Sequence, residues 1–371
     1  MKKAKVFIIC GEASGDLHAA NLIHEWLKIN PDVDFVGWGG ERLLKERFNL
    51  LKHVKTLSFM GFWEVLMNIR SIAKNFRTCK QQILEHNPDV LLLIDFPGFN
   101  LRMAKWASTR GFKVVYYISP QVWAWKKGRI KAIKSYVNAL YCVLPFEKAY
   151  FKQNNLIVYY FGHPLLDEIH RFTLSEKETL IFEKPVLALL PGSRIQEIKR
   201  KLPVMLEATK NFKDFEIVVA CSPYIPLEAY ESITNGMAHL RVNQTYELLR
   251  IAHAAFVTSG TATLETALFK VPQVVCYKSS PLSYAIAKRI IKVRYISLVN
   301  LILNRKVVDE LIQDDCNPKA LAKSMTALLY NNAAREEMLK AYESLIVQLG
   351  EKGPSEKIAF SMNETFLLEQ R

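Results

Sequence analysis

Short apolar runs rich in β-branched residues alternate along this chain with longer stretches whose apolar positions recur every three or four residues. The first run, Val6–Cys10, ends in the turn Gly11–Gly15, and a helical pattern follows over Asp16–Ile29. Next come Phe35–Gly37, a long helical stretch over Gly61–His86, and the run Val90–Ile94. A helix over Leu101–Arg110, the run Lys113–Ile118, a helix over Arg129–Tyr136 and the run Leu140–Leu144 complete the series. The runs are continuously apolar rather than alternating, so both faces of their sheet are covered, as in a parallel βα sheet.

A polar stretch, Leu166–Lys184, interrupts this pattern before a second series begins. It comprises Val186–Leu190, a helix over Gln196–Asn211, Glu216–Ala220, a helix over Leu227–Asn235, Ala254–Thr258, a helix over Thr261–Phe269, and Gln273–Tyr277. From Pro318 the tail is helical, broken at Gly350–Pro354. The chain has 371 residues, enough for two domains. The pattern predicts two βα lobes: an N-terminal one over 1–170, joined by a C-terminal helix over about 350–371, and a second over 180–345. Ligands of such sheets bind at the carboxyl ends of the strands, which places a cleft there.

Composition adds a charge. Fifty Lys and Arg against 36 Asp and Glu leave a net +14, which favours polyanionic partners: nucleic acid, anionic headgroups or phosphorylated substrates. The six cysteines form no CxxC pair, which argues against a zinc site or a disulfide framework. Met1–Cys10 runs straight into a Gly turn, so no signal peptide is expected. No stretch reaches the roughly 18 uncharged apolar residues of a membrane span; a membrane role would be peripheral.

Five segments carry candidate chemistry. Cys10-Gly11-Glu12-Ala13-Ser14-Gly15-Asp16 leads from the first strand into the first helix. Glu12 and Asp16 would repel a pyrophosphate, which points to a site for hydroxyl groups with Ser14 and Asp16 as catalytic candidates. The alternative is an ordinary turn in which Ser14 or Asp16 caps the helix. Asp95, in Ile94-Asp95-Phe96-Pro97-Gly98-Phe99-Asn100, follows another strand and is placed to act as a general base, or else to cap a turn. Phe96–Phe146 contains no acid and nine basic residues. Its centre, with Trp123, Trp125, Lys126, Lys127 and Arg129, suits a lipid interface, a nucleic-acid surface, or a charged face over two core tryptophans.

In the second lobe, Gly192, Ser193 and Arg194 follow a strand and open a helix, a setting for a phosphate contact. Ser259, Gly260 and Thr261 repeat that arrangement and suit a diphosphate. Glu265, one turn on in an apolar helix, is placed to accept hydrogen bonds from a ribose diol. Gly162-His163-Pro164 reads as a hinge, and the adjacent pair Asp314-Asp315 as surface charge rather than a metal motif.

Eight segments in order resemble one family, the lipid A disaccharide synthases: GEASGD at Gly11–Asp16, GFWEVL at Gly61–Leu66, IDFPGFN at Ile94–Asn100 and SPQVWAWKKGRIK at Ser119–Lys131, then LPFE at Leu144–Glu147, GHPLLD at Gly162–Asp167, LPGSR at Leu190–Arg194 and SGTATLE at Ser259–Glu265. The resemblance covers nearly the whole chain and implies the two-lobed GT-B glycosyltransferase fold, its parallel sheets facing a central cleft. It implies that UDP-2,3-diacylglucosamine donates its sugar to 2,3-diacylglucosamine 1-phosphate. The products are a β-1,6 disaccharide phosphate and UDP, with inversion, no metal and no cofactor. By position, Asp95 resembles the base, Arg194 a phosphate contact and Glu265 the ribose-binding glutamate, while Asn300 and Gln313 match cleft positions. Val299 departs from the Pro usual before that Asn. The resemblance also implies peripheral association with anionic lipid on the cytoplasmic face of the inner membrane, for which Gly61, Phe62, Trp63 and Met67 join the aromatic-basic stretch. It leaves open whether the chain forms a homodimer, and it gives nucleic acid no role. Two other readings compete: a nucleotide-sugar 2-epimerase of the same fold, which leaves the aromatic-basic stretch unexplained, and a non-catalytic basic binder of nucleic acid, which leaves the anion-binding turns unexplained.

Overall fold

Each apolar run forms a strand because its side chains are buried on both faces. In the N-terminal unit the strands are β1 (Ala4–Cys10), β2 (Val33–Gly39), β3 (Phe48–His53), β4 (Val90–Ile94), β5 (Lys113–Tyr117) and β6 (Ala139–Tyr141). All pairings are parallel, in the order β3-β2-β1-β4-β5-β6. Successive β1 side chains point to opposite faces. Val6, Ile8 and Cys10 pack with the helices Ala13–Ile29 and Pro354–Asn363, while Phe7 and Ile9 pack with Ile69–His86 and Pro97–Ser108.

The computed structural model describes residues 3–57, 69–124, 128–175, 179–290 and 293–368. They divide into one unit of Met1–Glu168 with Gly350–Arg371 and another of Ile169–Leu349. Hydrogen bonds tie the C-terminal helix to the first unit. Asn363 Oδ1 accepts hydrogen bonds from Trp26 Nε1 (3.2 Å) and Asn30 Nδ2 (2.9 Å), and Asp167 accepts from the amides of Gly353 and Ser355.

The second unit repeats the plan with β7 (Val186–Leu190), β8 (Glu216–Cys221), β9 (His239–Val242), β10 (Ala252–Thr258), β11 (Gln273–Tyr277) and β12 (Asp309–Ile312). These too are parallel, ordered β12-β11-β10-β7-β8-β9. In each sheet the strand order reverses once, between β1 and β4 and between β10 and β7. Open α/β sheets bind ligands at that switch point. The four loops that leave it are Gly11–Asp16, Asp95–Asn100, Pro191–Arg194 and Ser259–Thr261.

The structure departs from the sequence pattern at several places. The polar stretch expected after Leu166 contains a helix, Leu165–Leu174, whose Leu165 and Phe172 are buried. The first helix begins at Ala13 with Glu12 in the N-cap position, so neither Ser14 nor Asp16 caps it. The strands β3, β9 and β12 were not apparent because they are half-buried edges with polar residues such as Asn49, His239 and Asp309. Of the described residues, no helix is long and apolar enough to cross a membrane.

Candidate active site

In the N-terminal unit the β1 and β4 loops meet around Asp95. Asp95 and Phe96 both adopt left-handed backbone conformations, φ +47° and +48°. Non-glycine residues rarely do so, and each costs on the order of 1–3 kcal/mol unless the surroundings hold it there. Here the Asp95 amide donates to the Tyr117 carbonyl (3.0 Å). Its carbonyl accepts from Tyr116 Oη (2.6 Å) and Asn100 Nδ2 (2.8 Å), and Asn100 also reaches the carbonyls of Ile9 and Ile94. The last residue of the IDFPGFN segment therefore ties the ends of β1 and β4 to the turn. Gly11 completes the fit: a Cβ there would lie 2.2 Å from the Phe96 ring.

The Asp95 carboxyl is pushed up to about 7, first by burial and then by the negative charge of Glu12, with Glu147 adding to the rise and the Phe96 backbone N–H opposing it. A carboxyl that titrates near neutrality is matched to general-base work. Arg129 lies on the same side. It is half-buried, burial lowers its pKa, and its charge bears on Tyr116, the residue that clamps the Asp95 carbonyl.

Asp16 is placed otherwise. It is buried, and its carboxylate accepts from the amides of Gly40 (2.6 Å), Arg42 (2.9 Å) and Leu43 (3.3 Å). Its carboxylate thereby holds the loop after β2. Ser14 is exposed in the first helical turn.

Glu147 had no assigned role and emerges here. It is 1% exposed and accepts four hydrogen bonds: Ser119 Oγ (2.6 Å), Trp123 Nε1 (3.0 Å), and the amides of Val143 (3.2 Å) and Leu144 (3.0 Å). Burial raises its pKa against the pull of those donors. Glu147 thereby joins the loop after β5 to the loop after β6. The β5 loop begins under strain, with the β-branched Ile118 at φ +64°. Trp123 is half-buried and edge-on to Phe146, an internal setting rather than a free interfacial one. Gly61, Phe62, Trp63, Met67, Trp125, Lys126 and Lys127 lie outside the described residues. Glu147→Gln leaves two of the four donors without an acceptor. At about 1–3 kcal/mol for each buried orphan, the fold should lose roughly 3 kcal/mol and about 10 °C in Tm. Calorimetry checks this; a drop under about 2 °C would show that the carboxylate does not hold the loop.

In the second unit the β7 and β10 loops come together. Arg194 caps the helix Ile195–Thr209 with extended backbone and is exposed, and its guanidinium lies 3.6 Å from Glu197. Gly192, at φ +119°, leaves room for the Glu197 side chain; a Cβ there would sit 2.1 Å from Glu197 Oε2. Glu197 also pairs with the buried Lys201 at 3.6 Å, and Lys201 Nζ donates to Thr258 Oγ1 at the end of β10. Burial lowers the Lys201 pKa. Lys201 thus links both loops of the switch point, a role no local pattern announces. Ser193 is exposed beside Arg194.

Ser259 is engaged twice: its amide donates to the Cys276 carbonyl (3.2 Å) and its hydroxyl to the Ile296 carbonyl (2.9 Å). The neighbouring Gly260 and Thr261 are exposed where the helix Thr261–Leu268 opens. Glu265 is half-buried and accepts from Tyr246 Oη (2.8 Å). Asn300 is fully buried and saturated, bonding Val307, Val308 and Glu310. Glu310 in turn accepts from Ile296, Ser297 and Asn300. These two residues fix the loop whose Ile296 carbonyl accepts from Ser259, and the Asn300 amide is fully engaged within the protein. Gln313, at φ +54°, bonds the Ser279 amide (2.6 Å) and carbonyl (3.3 Å). Val299 is the second residue of the helix Leu298–Leu303, a position whose amide has no helical partner, so a Pro there would cost no helical hydrogen bond. Among the described residues no three His, Cys, Asp or Glu side chains group to hold a metal.

Two parallel α/β sheets, each with one switch point, are the architecture of the GT-B fold. Solved structures of that fold agree. A putative UDP-N-acetylglucosamine 2-epimerase from Listeria monocytogenes superposes with a TM-score of 0.72 at 15% identity, over 99% of this chain and 98% of that one. CalG4, the calicheamicin glycosyltransferase, gives 0.60 at 13%, over 99% and 100%. Both the epimerase and the transferase lines share the fold, so it does not choose between them. Sequence does. Residues 6–364 match the family described as lipid-A-disaccharide synthetase. The lipid-A-disaccharide synthases of Myxococcus xanthus and Coxiella burnetii are 36% and 35% identical, each over 97% of this chain and over 97% and 98% of their own length. The chain belongs to the lipid-A-disaccharide synthase family and is a glycosyltransferase of lipid A biosynthesis.

Proposed function

We propose that this enzyme transfers the sugar of UDP-2,3-diacylglucosamine to 2,3-diacylglucosamine 1-phosphate, with inversion and without a metal. The observation that carries the reading is Asp95: a carboxyl at a sheet switch point, on a strained and firmly held turn, pushed up to about 7. Asp95 takes the proton of the acceptor hydroxyl as that oxygen attacks the anomeric carbon. Sugar hydroxyls are weak acids, so proton transfer and attack are concerted. The bond from the anomeric carbon to the diphosphate oxygen breaks with both electrons leaving on UDP. Arg194 and the opening of the helix Thr261–Leu268 take up the charge that grows there, with Glu265 on the ribose. One attack in line needs one base and no covalent nucleophile.

Both substrates carry acyl chains and phosphate, so the N-terminal unit binds anionic lipid at the cytoplasmic face of the inner membrane through Trp125, Lys126, Lys127 and Arg129 and the segment near Gly61–Met67, while Ser119 and Trp123 anchor that stretch to Glu147. The test is the product: an α-linked donor must yield a β-linked disaccharide phosphate, read from the anomeric coupling in its NMR spectrum. An α-linked product would reject inversion and the single-base mechanism with it.

A further inference from the structure

The second unit carries an exposed apolar surface formed by residues other than its candidate site residues. The helix Pro281–Ile290 follows β11 and opens with the Ser280 hydroxyl accepting from the Ser283 amide (3.2 Å). Among its described side chains only Tyr284 is half-buried, and the others are exposed. Leu282, Ile286 and Ile290 are 61%, 45% and 48% exposed. Spaced at i, i+4 and i+8, they form one apolar stripe down the helix. Lys288 and Arg289 stand exposed in the last turn, and Arg294 follows, exposed beside Tyr295. The surrounding sequence is one-signed: residues 266–308 contain no Asp or Glu, and eight cations, namely Lys270, Lys278, Lys288, Arg289, Lys292, Arg294, Arg305 and Lys306.

We propose that the helix Pro281–Ile290 is a second membrane-docking element, which seats the C-terminal unit on an anionic lipid surface. A short helix with an open apolar stripe and adjoining cations matches both needs of such a surface. The apolar side chains enter the boundary of headgroups and acyl chains, and the cations meet lipid phosphates. A second copy of the chain is the poorer occupant, because the exposed Lys288, Arg289 and Arg294, set against their like, bring cations together. The element is distinct in position from the aromatic-basic stretch of the N-terminal unit, and its docking requires no turnover.

The full chain should co-sediment with vesicles of phosphatidylglycerol and phosphatidylethanolamine and much less with pure phosphatidylcholine. Leu282→Ser/Ile286→Ser/Ile290→Ser and, separately, Lys288→Glu/Arg289→Glu should each lower partition to the anionic vesicles about tenfold. Because every changed residue is exposed, thermal unfolding should be unaffected, and UDP release from detergent-dispersed substrates should stay within about twofold of the parent. Partition equal to the parent's in both variants would overturn the proposal. So would a change in oligomeric mass with vesicle binding intact, which would assign the stripe to a second copy. Loss of partition by these variants in a chain that turns over no sugar nucleotide would uphold the docking helix while removing the transferase reading.

Discussion

Asp95→Asn should lower kcat by about two to four orders of magnitude while leaving the fold and UDP affinity intact. The substitution keeps the side chain's shape on a turn whose backbone is held by Tyr116, Tyr117 and Asn100 rather than by the carboxylate. What disappears is the proton acceptor. The pH dependence gives the loss its signature. With the carboxyl pushed up to about 7 by burial and by Glu12 and Glu147, the parent's kcat/KM should fall tenfold per unit as pH drops below about 7. The residual activity of the Asn variant should lack that limb. Stability moves the opposite way. A carboxyl raised in the folded state favours folding at low pH and loses that advantage as pH climbs from its unfolded value near 4 to its folded value near 7. Removing it should therefore raise Tm at pH 8 and leave it unchanged at pH 3. A low rate with a raised Tm excludes misfolding as the cause; near-parental kcat would remove Asp95 from the mechanism.

Arg194→Ala should be the next most severe change, lowering kcat about 10²–10³-fold and weakening UDP binding about tenfold. Arg194 stands at the start of a helix, beside the Gly192 turn, where a guanidinium and the helix end act together on a phosphate. Its pairing with Glu197 is exposed at 3.6 Å, and such pairs contribute about 1 kcal/mol or less, so Tm should hardly move. Arg194→Lys should recover only part of the loss, because an ammonium cannot present the two parallel donors of a guanidinium. Isothermal titration with UDP beside steady-state kinetics separates the two effects. UDP affinity within twofold of the parent in Arg194→Ala would place the phosphate contact elsewhere.

The central strands and the loops that follow them were legible in the sequence because burial on both faces leaves a continuous apolar run. Val90–Ile94 and Val186–Leu190 were read with the bounds the structure gives them. The edge strands β3, β9 and β12 lack that run, and β9 shows why: of His239–Val242 none is buried. The helix Leu165–Leu174 was hidden by its charges, Asp167, Glu168 and Arg171, although Leu165 and Phe172 are enough to seat it.

The candidate site was legible where a residue stands at the end of its own strand, as Asp95 and Arg194 do. It was not legible where a side chain acts far along the chain. Glu147 reads locally as a helix-capping glutamate, and it does accept the Leu144 amide. Nothing nearby shows that its other oxygen reaches Ser119 and Trp123, 28 and 24 residues away. Lys201 meets Thr258 across 57 residues. The same blindness explains Asp16, Ser259 and Asn300. Each has a side chain suited to a ligand and a motif that places it near one, yet each is occupied by backbone groups from a loop the sequence could not locate.

The most direct measurement is UDP release from UDP-2,3-diacylglucosamine in detergent with a chelator, with and without 2,3-diacylglucosamine 1-phosphate. Release should require the acceptor and proceed at an unchanged rate in the chelator. Release without the acceptor, or none until a divalent cation is restored, would contradict it.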